Sequence, residues 1–304
     1  MTKLFYIMML VSINLLFANG YLTAQELEPR ALTNIPKGMN FVAVGTAYSF
    51  GNILVDPAIE IEDLKSQIIT GLVAYNRSVD ILGKSGKLDI IIPFGYSDYH
   101  GVFEGNSFHD ISEGIGDIRL RASINITGAP ALSAKEYANY NQKTVSGLSV
   151  QAILPTGAYH NNQLVNLGSN RYTLRINYGI SHTFDSWVIE AYGGLWLFST
   201  NNEFLGDFSI SQSPLWVIKS YLVKVFSKGK WIAFDAGYGI GGQTFINNEK
   251  RDAIISLMRL GLTMAWAFNK NHSLKLAAWT GIRFEQGPDF ETLGLVYQYK
   301  WLSK

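Results

Sequence analysis

Charged side chains recur at every second position in several segments of this chain. Asp117, Arg119 and Arg121 alternate with Ile118 and Leu120, and Arg175 sits between Leu174 and Ile176. Extended by the same parity, the set comprises Asp89, Asp117, Arg119, Arg121, Arg175, Glu190, Asp235, Arg259, Lys275, Arg283 and Lys300. Alternate residues of a strand share a face, so these charges would form a polar face backed by an apolar one. A dry protein core cannot hold them, because an unpaired buried charge costs about 3–5 kcal/mol. A wet passage can, and these residues are the expected lumen lining. Basic residues outnumber acidic ones in the set, which favours passage of anionic or carboxylated solutes. The competing reading pairs the charges with one another, so that they brace a wall around a closed lumen.

Other chemistries find less support. His100 and His109, with Asp98 or Asp110, are the nearest approach to a metal-ligand set, but loop polarity is the simpler account, and neither metal nor cofactor is expected. Gly237, Gly239 and Gly242 fit GxGxxG. That fingerprint needs a strand before it and a helix after it, whereas Thr244 to Asn248 reads as a loop. Glycines thinning an inner wall explain the match better. No GxSxG is present, so a hydrolase of the lipase kind remains a third reading and the chain is not expected to be an enzyme. Without cysteine there is neither thiol nucleophile nor disulfide. The formal net charge of +1 supplies no field to attract nucleic acid.

The elements that would carry the charged face are strands. One face of 116–126 holds Ile118, Leu120, Ala122, Ile124 and Ile126; Tyr172, Leu174, Ile176, Tyr178 and Ile180 repeat the pattern in 171–184. Further strands are read at 40–50, 66–80, 87–96, 144–157, 187–200, 214–227, 230–242, 252–268, 272–286 and 289–301, giving about twelve. The segments 66–80 and 214–227 alternate less clearly. Many runs exceed the ~5–6 residues usual in soluble strands and reach the ~9–11 needed to cross a bilayer. Short links (82–86, 185–186, 227–229, 269–271) alternate with long polar ones (51–65, 97–113, 158–169, 201–213, 243–251), the 128–143 link and the brief final hairpin near Gly287 being exceptions, as turns and loops do at the two rims of an outer-membrane barrel. Aromatics near strand ends, namely Tyr96, Tyr172, Phe184, Trp187, Phe198, Phe226, Trp231, Tyr238, Phe268, Phe284, Tyr299 and Trp301, suit interfacial girdles. Only 16% of residues are charged and 47% are hydrophobic, against roughly 25% charged in soluble domains. The fold class expected is therefore all-β: one closed antiparallel transmembrane barrel.

Residues 1–24 have the layout of a signal peptide, with Lys3 ahead of an apolar stretch from Leu4 to Phe17. Residues 25–39 contain Pro29, Pro36 and Gly38 and read as an irregular periplasmic or plug-like segment, followed by the barrel at 40–301. An even strand number puts both termini on the periplasmic side. Within the 128–143 link, Ser133 to Tyr140 reads as one short periplasmic helix, since Ser133 and Glu136 have capping-box spacing.

Six segments carry a family resemblance: EPRALTNIPKGMNF at 28–41, GNILVDP at 51–57, GDIRLR at 116–121, GAPALSAKEY at 128–137, NLGSNRY at 166–172 and LVYQYKW at 295–301. Together they resemble the outer-membrane transporter family named for the meta-pathway of phenol degradation. The resemblance implies a barrel that takes up small, in part aromatic, compounds. This chain departs from the usual aromatic terminus of such barrels, because Leu302, Ser303 and Lys304 follow Trp301. The partners expected are outer-membrane lipid, small-molecule solutes and the outer-membrane insertion machinery. The reading favoured by these residues is a passive channel, ahead of a closed structural or surface-interaction barrel.

Overall fold

A computed structural model describes residues 28–52, 61–103, 105–251, 254–283 and 289–303. The expected signal peptide, Phe284 and the link near Gly287 lie outside the described residues. In chain order the elements are β1 (Met39–Asn52), β2 (Ile61–Ile81), β3 (Lys84–Phe103), β4 (Asn106–Ile115) and β5 (Arg119–Thr127). Then come α1 (Ala134–Tyr137), β6 (Thr144–Ile153), β7 (Thr173–Phe184), β8 (Trp187–Phe198), β9 (Asn201–Phe204) and β10 (Phe208–Gln212). The remainder are β11 (Leu215–Ser227), β12 (Lys230–Gly241), β13 (Thr244–Ile246), β14 (Glu249–Lys250), β15 (Ile255–Ala267), β16 (His272–Arg283) and β17 (Asp289–Leu302).

Thirteen strands form one antiparallel sheet that closes on itself, with β1 pairing both β2 and β17. Because β4 and β5 lie end to end along the same edge of β3, they share one wall position and the barrel has twelve. Met39 faces Leu302, so the first and last strands begin and end at one rim. The tight turns lie there too. Leu82 and Gly83 both have positive φ, 52° and 76°, which matches the right-handed twist of the strands they join. The opposite rim carries the long connections other than the β5–β6 link, which returns to Lys84 through Pro130 at the rim of the chain ends, and among them is a second small sheet of β9, β10, β13 and β14.

Which face is apolar settles what surrounds the barrel. Ile69, Leu120, Tyr178, Ile218, Leu262 and Leu295 are exposed on the outside, whereas Gln151, Arg175, Asn177, Glu190 and Asp235 are buried inside. A water-soluble fold would reverse this assignment. An exposed apolar belt around a closed sheet is stable only in hydrocarbon, where closure also satisfies every backbone group.

Several boundaries differ from the sequence reading. The segment 97–113, expected as a loop, continues β3 and β4 as a hairpin beyond the barrel wall. Its outward residues, Asp98 and His100, are polar, so the hydrophobic contrast that marks a strand disappears while the backbone pairing continues. The helix is shorter than expected: α1 spans four residues, with the Ser133 and Glu136 capping box formed. Trp231 is buried on the inside at 7% exposure, not in an outer girdle, and Phe198 lines the internal cavity. The glycines at 237, 239 and 242 belong to β12 and the loop after it, and β13, not a helix, follows.

Candidate functional site

The barrel interior has two levels. Toward the rim of the chain ends, residues 28–37 enter the lumen and are held by the wall. The Arg30 amide donates to Glu190 at 2.7 Å, and Lys87 Nζ donates to the carbonyls of Ala31 and Thr33 at 2.6 and 3.0 Å. Asn125 donates to the Leu32 carbonyl at 3.3 Å, and Asn34 to that of Pro130 at 3.0 Å. Lys275 pairs with Glu28, and its ammonium holds the half-exposed Glu28 carboxyl below the usual carboxylate range. Leu32 packs among Val145, Val188, Tyr192, Tyr221 and Trp231. Proline and positive φ at Arg30 (69°) keep the segment irregular, and it therefore bonds through its carbonyls to side chains of the wall.

Above this floor is a cavity of about 460 Å³. Guanidinium groups of its lining sit over aromatic rings: Arg175 over Trp196 at 3.8 Å, Arg259 over Phe290 at 4.0 Å and Arg171 over Phe198 at 4.7 Å. Lys219, Tyr221, Asp235 and Trp279 also line it. Asp235 accepts from Thr263 at 2.6 Å and from Trp279 at 3.3 Å. The lining therefore combines fixed cations with flat apolar surfaces, which is the surface complementary to an amphipathic anion.

A loop from Leu154 to Tyr172 roofs the cavity. It fills the break between β4 and β5: Leu154 and Ala158 donate their amides to the carbonyls of Ile118 and Ile115, at 2.9 and 2.7 Å. Pro93 of β3 faces the same break, where its missing N–H costs no ladder bond. The loop is tied to the small sheet through Asn170 to Asn201 (3.0 Å), Asn201 to Tyr159 (2.8 Å) and Arg171 to Gln212 (2.8 Å).

The charged residues expected along the lumen fall into separate groups. Arg119, Asp117, Arg175, Asp235 and Arg259 surround the cavity. Asp89 and Arg121 form a bidentate pair at 3.0 Å below it, while Glu190 and Lys275 hold the N-terminal segment. Lys300 shares the inward parity of Gln298 near the rim of the chain ends, and the Arg283 side chain lies outside the described residues. Sequence reasoning missed Lys87 and Lys219. Lys219 was hidden by the weak alternation of 214–227, and its signal was parity with Tyr221 and Val217. The aromatic partners were also missed, although Trp196 stands directly opposite Arg175 once β7 and β8 are in register.

A closed twelve-stranded wall with a greasy exterior, a charged interior and a roofed cavity defines an outer-membrane β-barrel of the channel class. The chain belongs to the family described as "Putative MetA-pathway of phenol degradation", whose sequence profile matches residues 40–299. No curated protein is similar to it by sequence. Among solved structures, the COG4313 outer membrane channel from Pseudomonas putida F1 superposes with a TM-score of 0.76 at 18% identity, covering 91% of this chain and 100% of that one. More distant likenesses include the β domain of the Bordetella autotransporter BrkA (TM-score 0.47, 12% identity, 87% and 100% covered). The Pseudomonas putida toluene transporter TodX is comparable (0.44, 10%, 93% and 95%). Since proteins of different roles reach the same similarity, these two describe a barrel wall and nothing finer.

Proposed function

We infer that this barrel is a passive outer-membrane channel for small amphipathic solutes that carry an aromatic or other flat apolar body and an anionic group. The observation that carries the reading is the lining of the cavity, where three guanidinium groups each lie on an aromatic ring. A carboxylate would meet an arginine while the rest of the solute replaces ring–water contact with ring–ring contact. The solved likeness described as an outer membrane channel agrees with this direction. In this reading residues 1–24 direct export, the insertion machinery places the barrel, both termini face the periplasm, and no catalytic step occurs. The charges named above line or brace the solute path.

Residues 28–37 support a second reading, a barrel whose lumen is kept shut, because wall side chains bond them along their length. The two readings separate by experiment. Liposomes containing the protein should swell faster in benzoate than in a neutral sugar of similar size, and single-channel current should favour anions. Equal rates with both solutes, or cation preference, would defeat the first reading. A variant lacking residues 28–36 that conducts no more than the intact chain would defeat the idea that this segment occludes the lumen.

A further inference from the structure

The geometry points to a binding site for a Zn²⁺-class divalent cation on the outer flank of the β3–β4 hairpin, made by Asp98, His100 and His109. Sequence spacing alone left these residues as loop polarity. Strand pairing changes that, because His100 stands directly opposite His109, while Asp98 lies two residues before His100 on the same face. Asp110, the other acidic candidate, pairs with the buried Tyr99 and so points to the opposite face. Three potential ligands thus come together from two short stretches on adjacent strands of one rigid hairpin.

Their atoms converge. Nε2 of His100 and Nε2 of His109 lie 2.9 and 3.1 Å from the same oxygen, Oδ1 of Asp98. All three ligand atoms lie within 4.8 Å of one another. Tetrahedral zinc with bonds of ~2.0–2.1 Å separates its ligands by about 3.3 Å, so small rotations of three side chains admit the ion. The two imidazoles are stacked, with centroids 4.1 Å apart and planes 16° from parallel, so the rings must turn out of the stack to bring one ion into both ring planes. As a structural brace the trio would be weak: half-exposed pairs contribute about 0–1 kcal/mol, and one carboxylate oxygen serves both rings.

The donor set selects the ion. Two imidazole nitrogens and one carboxylate match sites that keep a fourth position open for water. Calcium and magnesium want several oxygens, and the trio offers a single carboxylate. Side-chain exposures of 58% and 51% for the histidines leave the open position facing solvent. The site lies at the rim opposite the chain ends, where Asp98 pairs with the exposed Ile111 and the exposed Tyr96 comes two residues earlier on the same face of β3. Lys65 of β2 pairs with His100 from the other side, and its charge opposes a cation there. A bound ion would tie β4 to β3 where β3 still pairs with β2 on its other side.

Refolded protein without an affinity tag, held in detergent, tests the site with Co²⁺ as a visible probe and Zn²⁺ as competitor. One Co²⁺ per chain should bind with the intense absorption of a four-coordinate ion, and Zn²⁺, but not Ca²⁺, should displace it. His100→Ala and His109→Ala should each weaken binding by at least the roughly 10–100-fold that accompanies loss of a group merely supporting a ligand. His182→Ala and His272→Ala should leave it unchanged, and Lys65→Ala should tighten it. Absence of a stoichiometric Co²⁺ complex, or binding undiminished in the His100→Ala, His109→Ala double variant, would overturn the proposal. The exposed positions of both histidines allow these variants to fold, and heat-modifiable migration on gels checks that they have.

Discussion

The carboxylate of Asp117 accepts hydrogen bonds from both the amide and the hydroxyl of Ser169, at 2.9 and 2.6 Å, although the two residues are 52 positions apart. Its other oxygen accepts from the Gly157 amide at 2.9 Å. Asp117 sits in the break between β4 and β5, so one buried side chain clamps both arms of the roof loop to the only interruption of the wall among the described residues. Beside it Gly157 and Gly168 pack backbone to backbone. A Cβ on either would come within 2.7 Å of the other.

Replacing Asp117 should therefore unfasten the roof without dismantling the barrel. Hydrogen bonds to a charged group contribute about 1.5–3 kcal/mol each, and three are lost together in Asp117→Ala. Limited proteolysis should then cut within residues 154–172 while the rest of the chain stays resistant. Gly168→Val should give the same pattern through crowding. A cleavage pattern like that of the parent would show that the clamp is not what orders the loop.

The pairing of Glu28 with Lys275 predicts how acid acts on the N-terminal segment. The neighbouring ammonium depresses the Glu28 carboxyl. A group of depressed pKa contributes fully above its ordinary value, about 4.3 for glutamate, and loses that contribution as pH falls through the lower folded value. Acidification below about pH 4 should weaken the hold on the segment. Conductance of the refolded protein should rise over that range, and Glu28→Gln should remove the acid-dependent part. If Glu28→Gln and parent follow the same pH curve, the pair does not govern the segment.

Ion selectivity tests the arginines. Arg175 on Trp196 and Arg259 on Phe290 are held in place by their rings, each contact contributing about 0.5–2 kcal/mol. Arg175→Gln and Arg259→Gln together should lower the anion-to-cation permeability ratio measured from reversal potentials in a salt gradient. Trp196→Leu should do so more weakly, since it loosens the cation without removing it. An unchanged ratio in the double variant would place the selectivity elsewhere.

These arrangements were unequally legible from the chain itself. Parity along each strand was enough to separate Arg121 from Leu120 and to place Asp89 and Arg121 on one face, because the bilayer imposes hydrophobic contrast wherever a strand crosses it. That contrast stops at the membrane boundary, so the hairpin of 97–113 read as a loop although its backbone pairs throughout. Ser133 and Glu136 could be paired by spacing alone, since a capping box is local. The bonds from Lys87 to Ala31 and from Arg30 to Glu190 could not. They join residues 56 and 160 positions apart, and only barrel closure brings those together. The Arg175 and Trp196 contact is intermediate, because it needs the β7–β8 register but no distant contact.

The wall offers an internal test of what surrounds it. Leu222 lies near the middle of β11 and is 43% exposed, while Leu82 at the tip of a turn is 96% exposed. In a water-soluble protein, arginine at either position would change stability little, and least at the more exposed site. In a membrane the order is set by depth. Arginine at the midplane costs about 2–4 kcal/mol and falls to about 0–1 near the interface. Leu222→Arg should therefore destabilise the protein by that larger amount in urea titrations of vesicle-folded material, and Leu82→Arg should be close to neutral. Equal, small effects at both sites would mean that the greasy face of β11 meets water. The charged interior would then have to be explained without a bilayer outside it.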